Sequence, residues 1–160
     1  MFGFFGKKDE KYLVAVQTGK VISIRKVPDE VFSEKILGDG VAIIPSEDDV
    51  VSPVDGEIVQ IAETGHAFCI RSEDGVEILI HIGIDTVNLK GEGFESFVSV
   101  GQKVKAGDLI GKADIKLIEK RGYPTHTVVL VTNMNDLKCM KPIFGHAKIG
   151  ETRIVSYRKK

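Results

Sequence analysis

Two histidines, each with a glycine and a polar residue close by in the chain, are its most chemically suggestive feature. In Glu77-Ile78-Leu79-Ile80-His81-Ile82-Gly83-Ile84-Asp85-Thr86 the pattern alternates with period 2. Val76, Ile78, Ile80, Ile82 and Ile84 therefore share one face of a strand, and Glu77, Leu79, His81, Gly83 and Asp85 share the other. His81 is held on a stiff, β-branched strand and points away from the core; Gly83 leaves room beside it, and the carboxylate of Asp85 follows. Upstream, Thr64-Gly65-His66-Ala67-Phe68-Cys69-Ile70 places Thr64, His66, Phe68 and Ile70 on one side and Ala67 and Cys69 on the other. Between the histidines, Ser72-Glu73-Asp74-Gly75 is an Asp-Gly turn signal. Folding back there brings His66 and His81 within about a residue or two of register. Thr64 can then hydrogen-bond one imidazole and fix its tautomer.

Three chemistries fit such a pair. The plainest is none, with both histidines facing solvent on a sheet. The second is metal binding: two imidazoles supply half of a tetrahedral zinc shell, and His81-x-x-x-Asp85 superficially resembles the paired ligands of some β-sheet zinc peptidases. A zinc hydrolase also needs a third ligand and a base, whereas His126 and His146 each stand alone in sequence. The third is covalent phosphoryl transfer, since a neutral imidazole is a good nucleophile near pH 7 and its phosphoramidate passes the group on. That chemistry needs in-line access and hydrogen-bonding groups around the phosphoryl oxygens. A shallow histidine pair with small neighbours suits transfer better than hydrolysis.

The elements that position the pair read as short strands. Alternation and glycine turns predict Tyr12–Val16, Gly19–Arg25, Val41–Pro45, Val50–Ser52, Gly56–Ala62, His66–Arg71, Glu77–Ile84, Leu109–Ala113, His126–Val131 and Arg153–Tyr157. This is the pattern of an all-β antiparallel sandwich or flattened barrel. Two short helical segments interrupt it. One runs over Pro28–Leu37 and stops at Gly38, with Phe32 and Ile36 at helical spacing; the other runs over Ile115–Arg121, capped by Asp114 and ended by Gly122. A faint repeat points to a duplicated β unit. Gly19-Lys20-Val21-Ile22-Ser23-Ile24 resembles Gly56-Glu57-Ile58-Val59-Gln60-Ile61, and Gly40-Val41-Ala42-Ile43 echoes Gly65-His66-Ala67-Phe68, which puts Val41 in the slot of His66.

At 160 residues the chain is most simply one domain, residues 12–160, behind a flexible tail of residues 1–11. With 23 acidic and 22 basic residues it has no global field that would favour nucleic acid. Cys69 and Cys139 read as buried thiols of a cytoplasmic protein rather than a disulfide, because no signal peptide or metal spacing accompanies them. No apolar run approaches a membrane span. Met1-Phe2-Gly3-Phe4-Phe5-Gly6-Lys7-Lys8 combines aromatics with lysines and offers weak contact to an anionic membrane, against the simpler reading of a frayed tail.

Ordered motifs over roughly residues 18–157 carry a family resemblance. They are Val27-Pro28-Asp29-x-Val31-Phe32-x-Glu34-Lys35-Ile36-x-Gly38-Asp39-Gly40, Ser52-Pro53-Val54-Asp55-Gly56, Thr64-x-His66-Ala67, and His81-x-Gly83-Ile84-Asp85-Thr86-Val87-x-Leu89-Lys90-Gly91-Glu92-Gly93-Phe94. Gly101-Gln102-x-Val104-x-x-Gly107-Asp108, Val131-x-Asn133-Met134 and Gly150-Glu151-Thr152 extend them. In these the chain resembles the glucose-type enzyme IIA family of the bacterial phosphoenolpyruvate-dependent sugar phosphotransferase system. The resemblance implies a compact antiparallel β-sandwich acting as a phosphotransferase-system phosphocarrier. His81 matches the acceptor whose Nε2 takes the group from the small carrier HPr. His66 matches the histidine that stabilises the phosphoryl group for passage to the cysteine of a IIB domain, and Thr64 the residue that orients His66. Asp29 and Asp85 match rim acids that meet HPr, and Phe32, Leu79, Gly83 and Val87 the docking collar. No cofactor is required, and the expected state is a monomer. His66 and His81 could bind zinc only with a partner's carboxylate, in a partner-regulating role. Ala62 and Leu79 make the rim smaller and more aliphatic than in branches with aromatics there, and Gly65 stands where others carry asparagine. Gly101–Gly111 and Ser52–Gly56 also resemble half-motifs of biotinyl and lipoyl carriers, but Lys90, their only candidate lysine, lacks the usual flanking residues.

Overall fold

The structure, a computed structural model, describes residues 9–160, so the aromatic and lysine run Met1–Lys8 and its membrane contact lie outside the described residues. In chain order the strands are β1 (Lys11–Val14), β2 (Gly19–Ser23), β3 (Asp39–Pro45), β4 (Asp49–Val51), β5 (Gly56–Ile61), β6 (Ala67–Ser72), β7 (Glu77–Ile82) and β8 (Phe94–Ser96). They continue as β9 (Lys103–Val104), β10 (Leu109–Ala113), β11 (Thr127–Val131), β12 (Leu137–Pro142), β13 (Gly145–Ala147) and β14 (Arg153–Lys159). Two short α-helices, α1 (Glu30–Ser33) and α2 (Ile115–Lys120), interrupt the strands. The sheets are antiparallel: an eight-stranded one ordered β13-β2-β3-β11-β7-β6-β5-β9, and two of three strands, β1-β14-β12 and β4-β10-β8. The expected all-β sandwich is what forms.

Alternation along the inner strands divides the apolar residues between two clusters. Ile43, Phe68, Ile70, Ile78, Ile80, Ile82 and Val129 face the main core, where Leu13, Ile110 and Ile154 come from the smaller sheets. Val128 and Leu130, pointing to the other face, join Ile22, Ile24, Val27, Phe32, Ala42 and Ile84 in a second cluster, with Leu79 packed against it. His81 sits across from Val128 on β11, so its strand face is partly covered by this second cluster.

The duplicated unit is visible in the register. From either end the large sheet reads edge strand, hairpin, inner strand, and the pair Val129↔Ile80 lies at the centre. Gly19 pairs with Pro45, and Gly56 with Ser72, at matching places. A Cβ on either glycine would lie 2.2 Å from a carbonyl oxygen, that of Ile44 or of Arg71. Counting back six residues from Pro45 and from Ser72 places Asp39, not Val41, in the slot of His66, and Val41 opposite Phe68 in the comparison. The sequence echo was shifted by two residues, a displacement that leaves the apolar and polar alternation unchanged.

Other differences have local causes. The helix expected over Pro28–Leu37 spans only Glu30–Ser33, because Asp29 is extended and caps it, accepting from the Val31 amide at 2.9 Å. Lys35 then turns left-handed (φ 60°), so Phe32 is buried while Ile36 is 65% exposed. Asp114 caps α2 as expected, accepting from the Leu117 amide at 3.1 Å. Strands β8, β9, β12 and β13 carry too little alternation to show in sequence. Cys139 is exposed on β12, whose only partner strand among the described residues is β14, and Cys69 is half-buried; both thiols are free.

Candidate functional site

The β6–β7 hairpin brings the histidines together, though not by the expected alternation. Ala67 pairs directly with His81, so a regular β6 would turn His66 into the main core beside Phe68 and Ile70. Instead β6 starts at Ala67 and Gly65 is left-handed (φ 75°), which takes His66 out of the pleat. The His66 carbonyl still accepts from the Ile82 amide at 2.8 Å, and its ring meets that of His81 edge-on, centroids 4.9 Å apart at 81°. Phe32 packs 5.0 Å from the His81 ring, and Phe94 lies 6.3 Å from His66.

Each imidazole is fixed by one short hydrogen bond. His81 Nδ1 lies 2.8 Å from the Gly83 carbonyl oxygen. A carbonyl only accepts, so Nδ1 donates, and in the neutral ring Nε2 keeps its lone pair. His66 Nδ1 is 2.5 Å from Thr64 Oγ1. Burial pushes the His81 pKa down; the Gly83 bond and the charges of Asp29 and Asp85 pull it up but do not overcome that. Burial also lowers the His66 pKa, and His81 adds to the effect. Both rings are thus neutral at pH 7.

The strand ends at Ile82, not at Ile84, and the next residues leave it in a tight turn. Gly83 (φ 74°) and Asp85 (φ 60°) are both left-handed. Gly83 donates to the His126 carbonyl at 2.9 Å and Ile84 to that of Pro124 at 3.0 Å. Asp85 therefore reaches the rim through the turn and is exposed, as is Val87, which is 51% accessible. Asp29 arrives on the cap of α1, and Leu79 lies two pairs along the hairpin from His81, opposite Cys69. All nine sequence-chosen positions lie on, or on segments adjoining, this one end of β7. Among the described residues no cluster of three or more His, Cys, Asp or Glu side chains is placed to hold a metal ion. Lys90 closes the short helical turn Thr86–Leu89 rather than the tip of a β-hairpin.

Comparison with known proteins settles the lineage. The profile of the family described as phosphoenolpyruvate-dependent sugar phosphotransferase system, EIIA 1, matches residues 11–137. The chain belongs to this EIIA family. Its relatives include the PTS system glucose-specific EIIA components of Bacillus cereus, 46% identical over 100% of this chain and 98% of that protein, and of Haemophilus influenzae, 42% identical over 97% and 96%. Glucose permease IIA from Mycoplasma capricolum superposes with a TM-score of 0.84 at 39% identity, covering 92% of this chain and 95% of that one. As an EIIA-family member the chain has a phosphocarrier role in sugar transport. No helix among the described residues is long and apolar enough to cross a membrane.

Sequence reading did not single out Thr86 or Phe94 as parts of the site, although both stand in the motif that begins at His81. Nor did it find the second apolar cluster under His81. A polar residue at a turn and an aromatic after two glycines give no periodic signal; Thr86 acts on Ile82 and Gly83 within its own turn, and Phe94 reaches His66 from a distant part of the chain.

Proposed function

We propose that His81 is the residue that carries the phosphoryl group. Its Nε2 lone pair attacks phosphorus of the phosphohistidine on HPr; the new N–P bond forms as the old one breaks, and the electron pair returns to the donor imidazole. A thiolate of a IIB domain then attacks in line, taking the group and leaving His81 neutral. His66 stabilises the phosphoryl oxygens through Nε2–H, with the Thr64 hydroxyl donating to its Nδ1 to hold that tautomer. Asp85 and Val87, exposed, and Asp29 and Leu79, half-buried, form the docking face over buried Phe32 and Gly83, two acids around an apolar collar, suited to transient contact with a basic partner. The chain works as a monomer on the cytoplasmic side and needs no cofactor. Zinc on His66 and His81, completed by a partner's carboxylate, is the alternative use of the same face.

The observation that carries this reading is the Gly83-bound Nδ1 of His81, which leaves Nε2 unprotonated at neutral pH beside a second imidazole. Radiolabelled phosphoenolpyruvate with enzyme I and HPr tests it. Acid-labile label is expected on the native chain and none on His81→Ala; His66→Ala should load but fail to pass label to a IIB domain. Undiminished labelling of His81→Ala would overturn the assignment.

A further inference from the structure

The Gly83 carbonyl fixes which nitrogen of His81 is free, so whatever fixes that carbonyl is part of the machinery. The turn beyond β7 holds it with very little chain: two left-handed residues in three, Gly83 and Asp85, and no regular ladder after Ile82. Inside this turn Thr86 is fully buried, and its hydroxyl donates to the Ile82 carbonyl at 2.5 Å. Its methyl group occupies the space next to Gly83, where a Cβ would come within 2.4 Å of Thr86 Cγ2. The two sides of one side chain therefore brace the residues on either side of the peptide that joins Ile82 to Gly83. The amides of Gly83 and Ile84 are tied to the His126 and Pro124 carbonyls, so the Gly83 peptide is held from the segment that leads into β11 as well.

We infer that Thr86 is a positioning residue for the phosphoryl acceptor, aiming the Gly83 carbonyl at His81 Nδ1 and so keeping the Nε2 lone pair exposed. Being fully buried, it contacts neither HPr nor a IIB domain and acts only through Gly83. Without its hydroxyl the Ile82 carbonyl loses a buried partner and the turn relaxes. The Gly83 carbonyl then swings away, and His81 samples the tautomer that carries its proton on Nε2, the nitrogen that must attack. A small displacement of this kind costs a transfer reaction dearly, because in-line attack requires a fixed geometry.

This inference rests on the reading of His81 as acceptor, and the test keeps the two apart. Thr86→Val retains the shape and removes the hydroxyl; Thr86→Ala also removes the methyl group; Thr86→Ser retains the hydroxyl. Nitrogen-15 shifts of the His81 ring report the tautomer without any phosphoryl donor, and single-turnover loading from phospho-HPr reports the chemistry. In Thr86→Val and Thr86→Ala the fraction of His81 protonated on Nδ1 should fall, and loading should slow by about tenfold or more while HPr affinity is unchanged. Thr86→Ser should restore both. A folded Thr86→Val with native ring shifts and native loading overturns the inference. So does unfolding of both Val and Ala variants where Ser folds, since the hydroxyl would then be needed for the fold alone. Failure of the native chain to load, with ring shifts still dependent on Thr86, would sink the acceptor reading and spare the positioning role.

Discussion

At the scale of single residues, the site depends on a few atoms whose placement decides their chemistry. His81 is useful because a carbonyl accepts from its Nδ1–H and burial keeps the ring neutral. Loading should therefore be flat above pH 7 and decline on acidification, starting below the ordinary histidine value of 6.5, as protonation removes the Nε2 lone pair. A pH–rate profile of single-turnover loading checks this; a decline already complete at pH 7 would contradict it. Gly83 is equally constrained. Gly83→Ala would place a Cβ 2.4 Å from Thr86 Cγ2 at a φ of 74°, a conformation that costs other residues about 1–3 kcal/mol even without the clash. Reduced denaturation midpoint together with slow loading is expected, and a variant that loads normally would show the turn to be more yielding than its contacts imply.

At the scale of elements, the hairpin that carries both histidines is anchored at its far end. Asp74 in the turn accepts from Tyr157 Oη at 3.0 Å and pairs with the Ser72 hydroxyl, and Lys159 donates to its carbonyl. Burial first, and the Asp74 charge second, hold the Tyr157 phenol protonated, its pKa raised. The β6–β7 turn is thereby tied to β14, away from the site. Tyr157→Phe should lower unfolding stability by about 1.5 kcal/mol, the scale of a hydrogen bond to a charged group. Loading should stay native, since the histidines lie at the other end of the hairpin. Urea titration and the loading assay, run side by side, test the separation; a strong loss of loading would mean that the turn controls the site.

At the scale of the whole molecule, burial of polar groups shapes stability. Gln17 is fully buried, and among the described residues neither its amide nitrogen nor its oxygen has a partner. Gln17→Met, similar in length and apolar, should raise stability by about 1–2 kcal/mol in a denaturant titration; a destabilised variant would mean that the amide is satisfied in solution. His66, His81 and His126 all have lowered pKa values, with burial the largest cause in each. Below pH 6.5 the unfolded chain takes up protons that the folded chain does not, so stability must fall as pH falls from 6.5 toward the lowered values. The slope is at most about 1.4 kcal/mol per pH unit for each histidine. Unfolding midpoints that stay level between pH 7.5 and 5.5 would show these rings to titrate normally.

The sequence by itself determined the strand periods around His81, the Asp-Gly turn, the cap at Asp114 and the family motifs, because these depend on neighbours in the chain. It also determined which two histidines meet, since one hairpin joins them. The position of His66 off the end of β6, the two-residue shift in the duplicated unit and the exposed Cys139 were decided by tertiary structure. So were the second apolar cluster beneath His81 and the bonds from the Gly83 and Ile84 amides to the His126 and Pro124 carbonyls. Each of these depends on which strands become neighbours: Val128 and Leu130 from β11, Phe32 from α1, and the carbonyls of Pro124 and His126 lie more than forty residues from His81 in the chain and beside it or its turn in the fold. Local alternation is blind to such partners because the same apolar and polar pattern fits more than one register, and only packing between strands selects the one that forms.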